Sequence, residues 1–244
     1  MEMRNRSGDY MAATEIPSGS DDACIVLASG VGSRVSKTFH KQYFEVDGQS
    51  VLEMTLMRIA ESAAFASVIV VSKNMPSELR ARLNKLELAT EIIDGGKTRS
   101  ISLFLGIMHL AAEESSIGRV AIHDGVRPFA SSKLFRQSLS ESRTGCVAVP
   151  VVESRESIID VSTGHPVAVP RKNLVVAQTP ETIRLSDMLS AYRRVGGECV
   201  EGEGTAGVCA KLGFAIRPFA GEAQNTKITY PADLMNLDRI QNRP

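Results

Sequence analysis

From residue 23 onward, short apolar runs alternate with stretches whose apolar residues recur every three to four positions. Residues 23–28 (ACIVLA) form one unbroken apolar run that ends in Ser-Gly-Val-Gly. Apolarity without alternation predicts a strand covered on both faces, as in a parallel sheet. Residues 50–64 carry Val51, Leu52, Leu56, Ile59, Ala60 and Ala63 at helical spacing. The pattern then predicts a strand at 68–71 and a helix over 77–86 with Ser77 as its cap. A strand at 89–93 stopped by Gly95-Gly96 and a helix over 100–112 come next. A strand at 120–123, a helix over 131–141 and a strand at 146–151 follow. Strand and helix in this order predict βαβ units. The expected fold class is α/β: a Rossmann-like, mostly parallel twisted sheet flanked by helices.

Residues 151–176 break the rhythm. Segments 157–161 and 166–169 alternate around Thr163-Gly164, which predicts a protruding β-hairpin arm. A helix over 185–194, an apolar segment at 215–219 and a closing helix over 231–241 complete the pattern. Residues 1–21 are polar and aperiodic and read as a mobile leader. Residues 22–244 read as one domain carrying the arm.

Composition narrows the classes. Lys+Arg and Asp+Glu both number 28, so the net charge is zero. That excludes a non-specific nucleic-acid binder, which needs a basic field, but leaves room for a local basic pocket. No uncharged apolar run approaches the roughly 18 to 20 residues of a membrane helix. The N-terminus has acids and no apolar stretch of the secretory type. Cys24, Cys146, Cys199 and Cys209 form no CxxC pair, and are expected to be reduced thiols in a cytoplasmic protein.

The chemistry-bearing residues fall where open α/β sheets bind ligands, beyond the carboxyl ends of strands. After the first strand comes Ser29-Gly30-Val31-Gly32-Ser33-Arg34. Its glycines let backbone N–H groups approach phosphate oxygens, and Arg34 can pair with them. Alone, the segment also fits a plain strand-to-helix turn: it is neither G-x-G-x-x-G nor a Walker loop. Lys41 adds a second cation nearby, or a solvated lysine. Gly95-Gly96-Lys97-Thr98-Arg99, with Ser102, is a second glycine turn that either reads a base edge or caps a helix. In His123-Asp124-Gly125-Val126-Arg127-Pro128, Asp124 stands at a strand end beside a glycine, a usual place to hold Mg²⁺ against a nucleotide phosphate. Arg127 orients Asp124 or touches phosphate. His123 is a base, a ligand or a packing residue.

Seven segments occur in unbroken order: LASGVGSR, HKQYFEVDGQSVLEMTL, GGKTRSIS, IHDGVRPF, VAVPVVES, AQTPE and QNTKIT. Together they resemble the 2-C-methyl-D-erythritol 4-phosphate cytidylyltransferase family, with the ribitol-5-phosphate cytidylyltransferases as near relatives. The resemblance implies a glycosyltransferase-A-like nucleotidyltransferase that moves CMP from CTP to a polyol phosphate and releases pyrophosphate. Its first acceptor is 2-C-methyl-D-erythritol 4-phosphate, for isoprenoid precursors. CDP-ribitol synthesis, another CDP-polyol or phosphonate, and a non-catalytic nucleotide-binding relative are the alternatives.

By the same resemblance, Arg34 and Lys41 are catalytic, neutralising charge on the α-phosphate. Ser29, Gly30, Gly32, Gly95, Ser102, Asp124 and Gly125 bind CTP, and Asp124 holds Mg²⁺ or another divalent cation. Arg127, Ser154, Arg171 and Lys227 hold the polyol phosphate, and the arm makes a homodimer. The sequence departs from the family's pattern at several places. Ser29 stands for Ala or Gly, His40 for Pro, Glu153-Ser154 for Asp-Thr, and Gln224 for Asp. Glu203-Gly204-Thr205-Ala206-Gly207 stands for Thr-Asp-Asp/Glu-Ala-Ser, so acids are missing from their places.

Overall fold

A computed structural model describes residues 21–30, 40–85, 91–113, 116–162 and 164–234. The central sheet opens with β1 (Asp22–Ala28), which runs parallel to β4 (Ser67–Ser72) on one side and β6 (Arg119–Asp124) on the other. β5 (Glu91–Asp94) lies parallel to β4 at one edge. Beyond β6 comes β11 (Glu181–Arg184), antiparallel to β6 and also paired with β7 (Cys146–Glu153). β10 (Val175–Ala177) continues the antiparallel pairing along β7, and β12 (Ala215–Ala220) closes the other edge in parallel. The sheet is thus mostly parallel, as expected. The two antiparallel strands β10 and β11, on either side of the cis Thr179–Pro180 peptide, were not legible in the pattern.

β1 shows why its sequence is apolar throughout. Ile25 and Leu27 face one core with Leu103, Ile107 and Met188, whereas Cys24 and Val26 face a second core with Leu56, Leu83 and Phe135. A strand with a helical layer on each face has no solvent side, so period-2 alternation disappears. The first core is covered by α3 (Arg99–Glu113), α5 (Leu185–Arg194) and α6 (Gly204–Lys211). The second is covered by α1 (Val51–Ser62), α2 (Ser77–Lys85) and α4 (Ser132–Glu141).

Helix starts follow local chemistry. Ser50 caps α1 in a capping box with Glu53: each side chain takes the other's backbone N–H, at 3.1 and 2.7 Å. Ser131 caps α4 through Leu134 N–H. Ser77 is the first helical residue of α2, one position inside the cap expected for it. A small hairpin, β2 (Glu45–Val46) and β3 (Gln49–Ser50), leads into α1.

The arm is present. β8 (Ile158–Asp160) and β9 (Val167–Val169) pair antiparallel as a separate two-stranded sheet. α6 occupies the segment whose acids are missing, and was not foreseen as a helix. Of the closing helix, α7 (Pro231–Leu234) is described. Its expected continuation and all but the last residue of the leader lie outside the described residues. Among the described residues, no helix is long and apolar enough to cross a membrane.

Candidate active site

β1, β5 and β6 run in the same direction, so Ala28, Asp94 and Asp124 end at one edge of the sheet. A cleft of about 360 Å³ opens there. Its walls include Ser29, Gly30, Lys41, Ser102, Asp124 and Lys227, six of the residues singled out from the sequence. Arg99 and Gln42 line it as well.

The start of the first glycine segment, Ser29-Gly30, is held from below by Gln42. This amide is buried, and its Nε2 donates to the carbonyls of Ala28 (2.8 Å) and Gly30 (3.1 Å). Lys41 and Gln42 share a short 3-10 turn, so the bond that fixes the turn also places Lys41 beside Gly30. Gly32 and Arg34 lie outside the described residues. Ser29 turns its hydroxyl away to donate to Val71 O at 3.0 Å. Its side chain fills the space over Gly95, where an added Cβ would meet Ser29 Oγ at 1.8 Å. Only glycine fits at that approach.

The second turn is closed by its own side chains. Ser102 Oγ accepts Gly96 N–H (3.1 Å) and donates to Thr98 O (3.0 Å). Ser102 therefore shapes the turn that faces the cleft. Gly95, one residue further back, donates its N–H to Ser72 O at 2.7 Å.

Asp124 is the centre of the charge arrangement. Arg99 Nη2 stands 3.2 Å from Oδ1, while Lys227 Nζ at 2.8 Å and Arg127 Nε at 3.4 Å approach Oδ2. Burial by itself raises the pKa of this carboxyl. Arg99, Lys227 and Arg127 outweigh it and hold the group well below the usual carboxylate range. Thr179 Oγ1 accepts Asp124 N–H at 3.0 Å; His123 Nε2 faces the Arg127 carbonyl at 3.4 Å, which can only accept, so in the neutral ring Nε2 carries the proton and Nδ1 accepts from the Thr179 hydroxyl at 3.0 Å. His123 is completely buried against Phe135, and desolvation lowers its pKa to about 4. It is a neutral packing residue, neither a base open to substrate nor a metal ligand.

Arg127 lies behind Asp124 rather than on the cleft wall, and its Nη1 donates to Asn225 O at 2.8 Å. Asn225 in turn donates to Thr179 O at 2.8 Å, and Ile228 N–H to Val126 O at 2.9 Å. These bonds dock the segment carrying Lys227 onto the end of β6. Gly125 packs under the same loop against Ala28 and Leu52.

Ser154 and Arg171 are not brought to this cleft. They sit on the arm, Ser154 half-buried and Arg171 exposed, where Ser154 Oγ donates to Glu156 O and Arg171 Nη1 to Arg155 O. Sequence reading missed Gln42, Arg99 and Glu181. All three lie inside segments already singled out, Gln42 in HKQYF, Arg99 in GGKTR and Glu181 in AQTPE. Glu181 stands two residues after Thr179, and only the antiparallel return of the chain places it behind Arg99.

Among the described residues, no three His, Cys, Asp or Glu side chains gather as a metal site. One ionised carboxylate is nevertheless what a Mg²⁺ carried by a nucleotide needs, because phosphate oxygens and waters complete its octahedron. Asp124 fits that requirement.

A family model described as "IspD: 2-C-methyl-D-erythritol 4-phosphate cytidylyltransferase" matches residues 23–243. The 2-C-methyl-D-erythritol 4-phosphate cytidylyltransferase of Gloeobacter violaceus is 30% identical over 222 residues, covering 88% of this chain and 94% of its own. The bifunctional enzyme IspD/IspF of Maricaulis maris is 31% identical over 221 residues; the match covers 89% of this chain but only 56% of that longer protein. In structure, the 4-diphosphocytidyl-2C-methyl-D-erythritol synthase of Anaerococcus prevotii superposes with a TM-score of 0.74 at 22% identity, covering 92% of this chain and 97% of that one. The cytidylyltransferase of Thermus thermophilus gives 0.69 at 24% identity, covering 91% of this chain and 100% of its own. These two likenesses establish the fold, and the sequence match establishes more: the chain belongs to the 2-C-methyl-D-erythritol 4-phosphate cytidylyltransferase family of nucleotidyltransferases.

Proposed function

We propose that the protein transfers the cytidylyl group of CTP to 2-C-methyl-D-erythritol 4-phosphate and releases pyrophosphate. One observation carries the reading. Lys41, Arg99 and Lys227 converge with a single ionised carboxylate, Asp124, on a cleft walled by two glycine turns. Such a site suits two phosphorylated substrates that repel each other in water.

In the reaction, an oxygen of the acceptor phosphate attacks the α-phosphorus of CTP in line, and the bond to pyrophosphate breaks. No general base is required, since a phosphate dianion already carries the nucleophile. Lys41, with Arg34, offsets charge growing on the non-bridging oxygens. Backbone N–H groups around Gly30 receive the triphosphate. The turn shaped by Ser102 receives cytosine. Lys227 holds the acceptor phosphate, which is catalysis by positioning. Arg127 supports that arrangement from behind Asp124. Bound at Asp124, Mg²⁺ supplies Lewis-acid charge to the same phosphate oxygens.

The arm belongs to a homodimer in this reading. Ile159, Val161 and Val167 on or beside β8 and β9 are each more than half exposed, which favours burial against a second copy. Ser154 and Arg171 then serve an acceptor site at that interface.

Pyrophosphate release tests the proposal, with CTP and Mg²⁺ and a panel of acceptors: methylerythritol 4-phosphate, ribitol 5-phosphate, other polyol phosphates and 2-hydroxyethylphosphonate. Turnover with the first acceptor is expected, and UTP, ATP and GTP serve as controls. Turnover only with another acceptor transfers the reading to that polyol. CTP binding without turnover favours a binding protein, and no CTP binding rejects the site.

A further inference from the structure

The first turn of α6 holds Thr205, Ala206 and Gly207, and no acid. Its backbone donors are nevertheless occupied. The carboxylate of Glu181, reaching over from β11, accepts Thr205 N–H at 3.2 Å and Ala206 N–H at 2.9 Å. Glu203 stands at the cap position and makes no capping bond. Glu181 is 3% exposed, and its Oε2 lies 3.7 Å from Arg99 Nη2. That same nitrogen is 3.2 Å from Asp124 Oδ1, and Arg99 Nη1 donates to the Thr205 hydroxyl at 3.0 Å. One guanidinium thus bridges two buried carboxylates, Asp124 on the cleft wall and Glu181 behind it.

We propose that Glu181 is a positioning residue that acts through Arg99: it anchors the guanidinium against α6 and shares its charge, which leaves Asp124 competent to hold a divalent cation. A guanidinium divided between two carboxylates neutralises neither completely. Without the charge on Glu181, Arg99 belongs to Asp124 alone, and an incoming cation faces the full repulsion of its neighbour. The acid absent from the first turn of α6 is thereby supplied from a different strand. This inference rests on the cytidylyltransferase reading.

The substitution Glu181→Gln keeps the shape and one acceptor oxygen but removes the charge. Mn²⁺ binding in the presence of CTP, followed by electron paramagnetic resonance, reads the effect without turnover. The dissociation constant for Mn²⁺ is expected to rise about tenfold, the lower end for loss of an outer-shell partner. Arg99→Lys, which cannot span both carboxylates, is expected to lose a similar factor. Adding Glu181→Gln to it should then cost less than about twofold more, because the route is already cut.

An unchanged Mn²⁺ constant in Glu181→Gln, with only a lower melting temperature, overturns the proposal and leaves Glu181 as a helix cap. Fully additive losses overturn the route through Arg99. If Glu181→Gln does not fold, Thr205→Val removes the acceptor of Arg99 Nη1 and leaves the backbone cap intact. It too is expected to weaken Mn²⁺, and an unaltered constant there is equally fatal. Wild-type protein that binds no CTP rejects the cytidylyltransferase reading itself. Wild-type turnover with unaltered Mn²⁺ binding in the variants rejects only the role of Glu181.

Discussion

Lys227 closes on Asp124, ammonium to Oδ2 at 2.8 Å, across the mouth of the cleft. Each is assigned to a different ligand, Asp124 to the divalent cation and Lys227 to the acceptor phosphate. While paired to each other, neither is fully available. Lys227→Met is therefore expected to act in opposite directions on the two ligands. The acceptor KM should rise about tenfold or more, the scale of one charge-assisted bond. Divalent-cation affinity should tighten, because a competing cation is gone. Steady-state kinetics and Mn²⁺ titration check both. Weakening of both together would mean that Lys227 supports the cation site instead of competing with it.

Lys41 faces the cleft from the turn that Gln42 pins to the end of β1. Lys41→Ala is expected to lower kcat at least about 100-fold, as for loss of one preorganised charge contact. A variant within a few-fold of wild type would falsify the catalytic role.

Gln42 tests a different link. Gln42→Leu preserves volume but leaves the carbonyls of Ala28 and Gly30 without their donor. A loss of about 1–3 kcal/mol of stability is expected, read as a lower urea midpoint at constant slope. CTP affinity should fall with it, because the turn proposed to receive the triphosphate loosens.

His123 gives the stability a pH signature. Desolvation lowers its folded pKa from 6.5 to about 4. The unfolded chain binds the proton that the folded chain refuses, so stability falls as pH drops from 7 toward 4 and this loss then stops. The effect is on the order of 3 kcal/mol at 1.36 kcal/mol per unit. Asp124, with its depressed pKa, contributes its stabilisation above the ordinary carboxylate value of 3.8 and loses it only in stronger acid. Urea midpoints of wild type and His123→Asn from pH 7.5 to 4.5 isolate the histidine: the difference between the two profiles should shrink as pH falls. Parallel profiles would show that His123 does not titrate in this way.

The arm predicts an assembly. Ile159 and Val167 are 59% and 60% exposed on a two-stranded sheet that has no core of its own. Ile159→Lys with Val167→Lys should convert a dimer to monomer in sedimentation while leaving the far-UV spectrum unchanged. Wild-type protein that is monomeric at micromolar concentration removes the dimer.

Much of this molecule was written locally. The unbroken apolarity of residues 23–28 announced a strand with two covered faces, and Ile25 and Cys24 do face opposite cores. The periodicity of α1, α4 and α5 and the serine caps at Ser50 and Ser131 needed only neighbours within one turn. The two glycine turns and the HDGVR segment marked the cleft because strand ends in a parallel sheet share an edge. Tertiary structure decided what pattern cannot encode. β11 pairs with β6 only after the chain has left and returned, so no periodicity foretold that Glu181 would reach α6 and Arg99. Arg127 could orient Asp124 or touch phosphate by its sequence, and packing sets it against Asp124 Oδ2 and Asn225 O. Gln42 holds the carbonyls of Ala28 and Gly30 only once the fold has brought them to its amide. The sequence by itself determined the parallel strands, the helices between them and which edge gathers the charged groups, since these follow from short-range periodicity and strand direction. Which carboxylate faces which cation was settled by long-range pairing, where desolvation and geometry outweigh anything local.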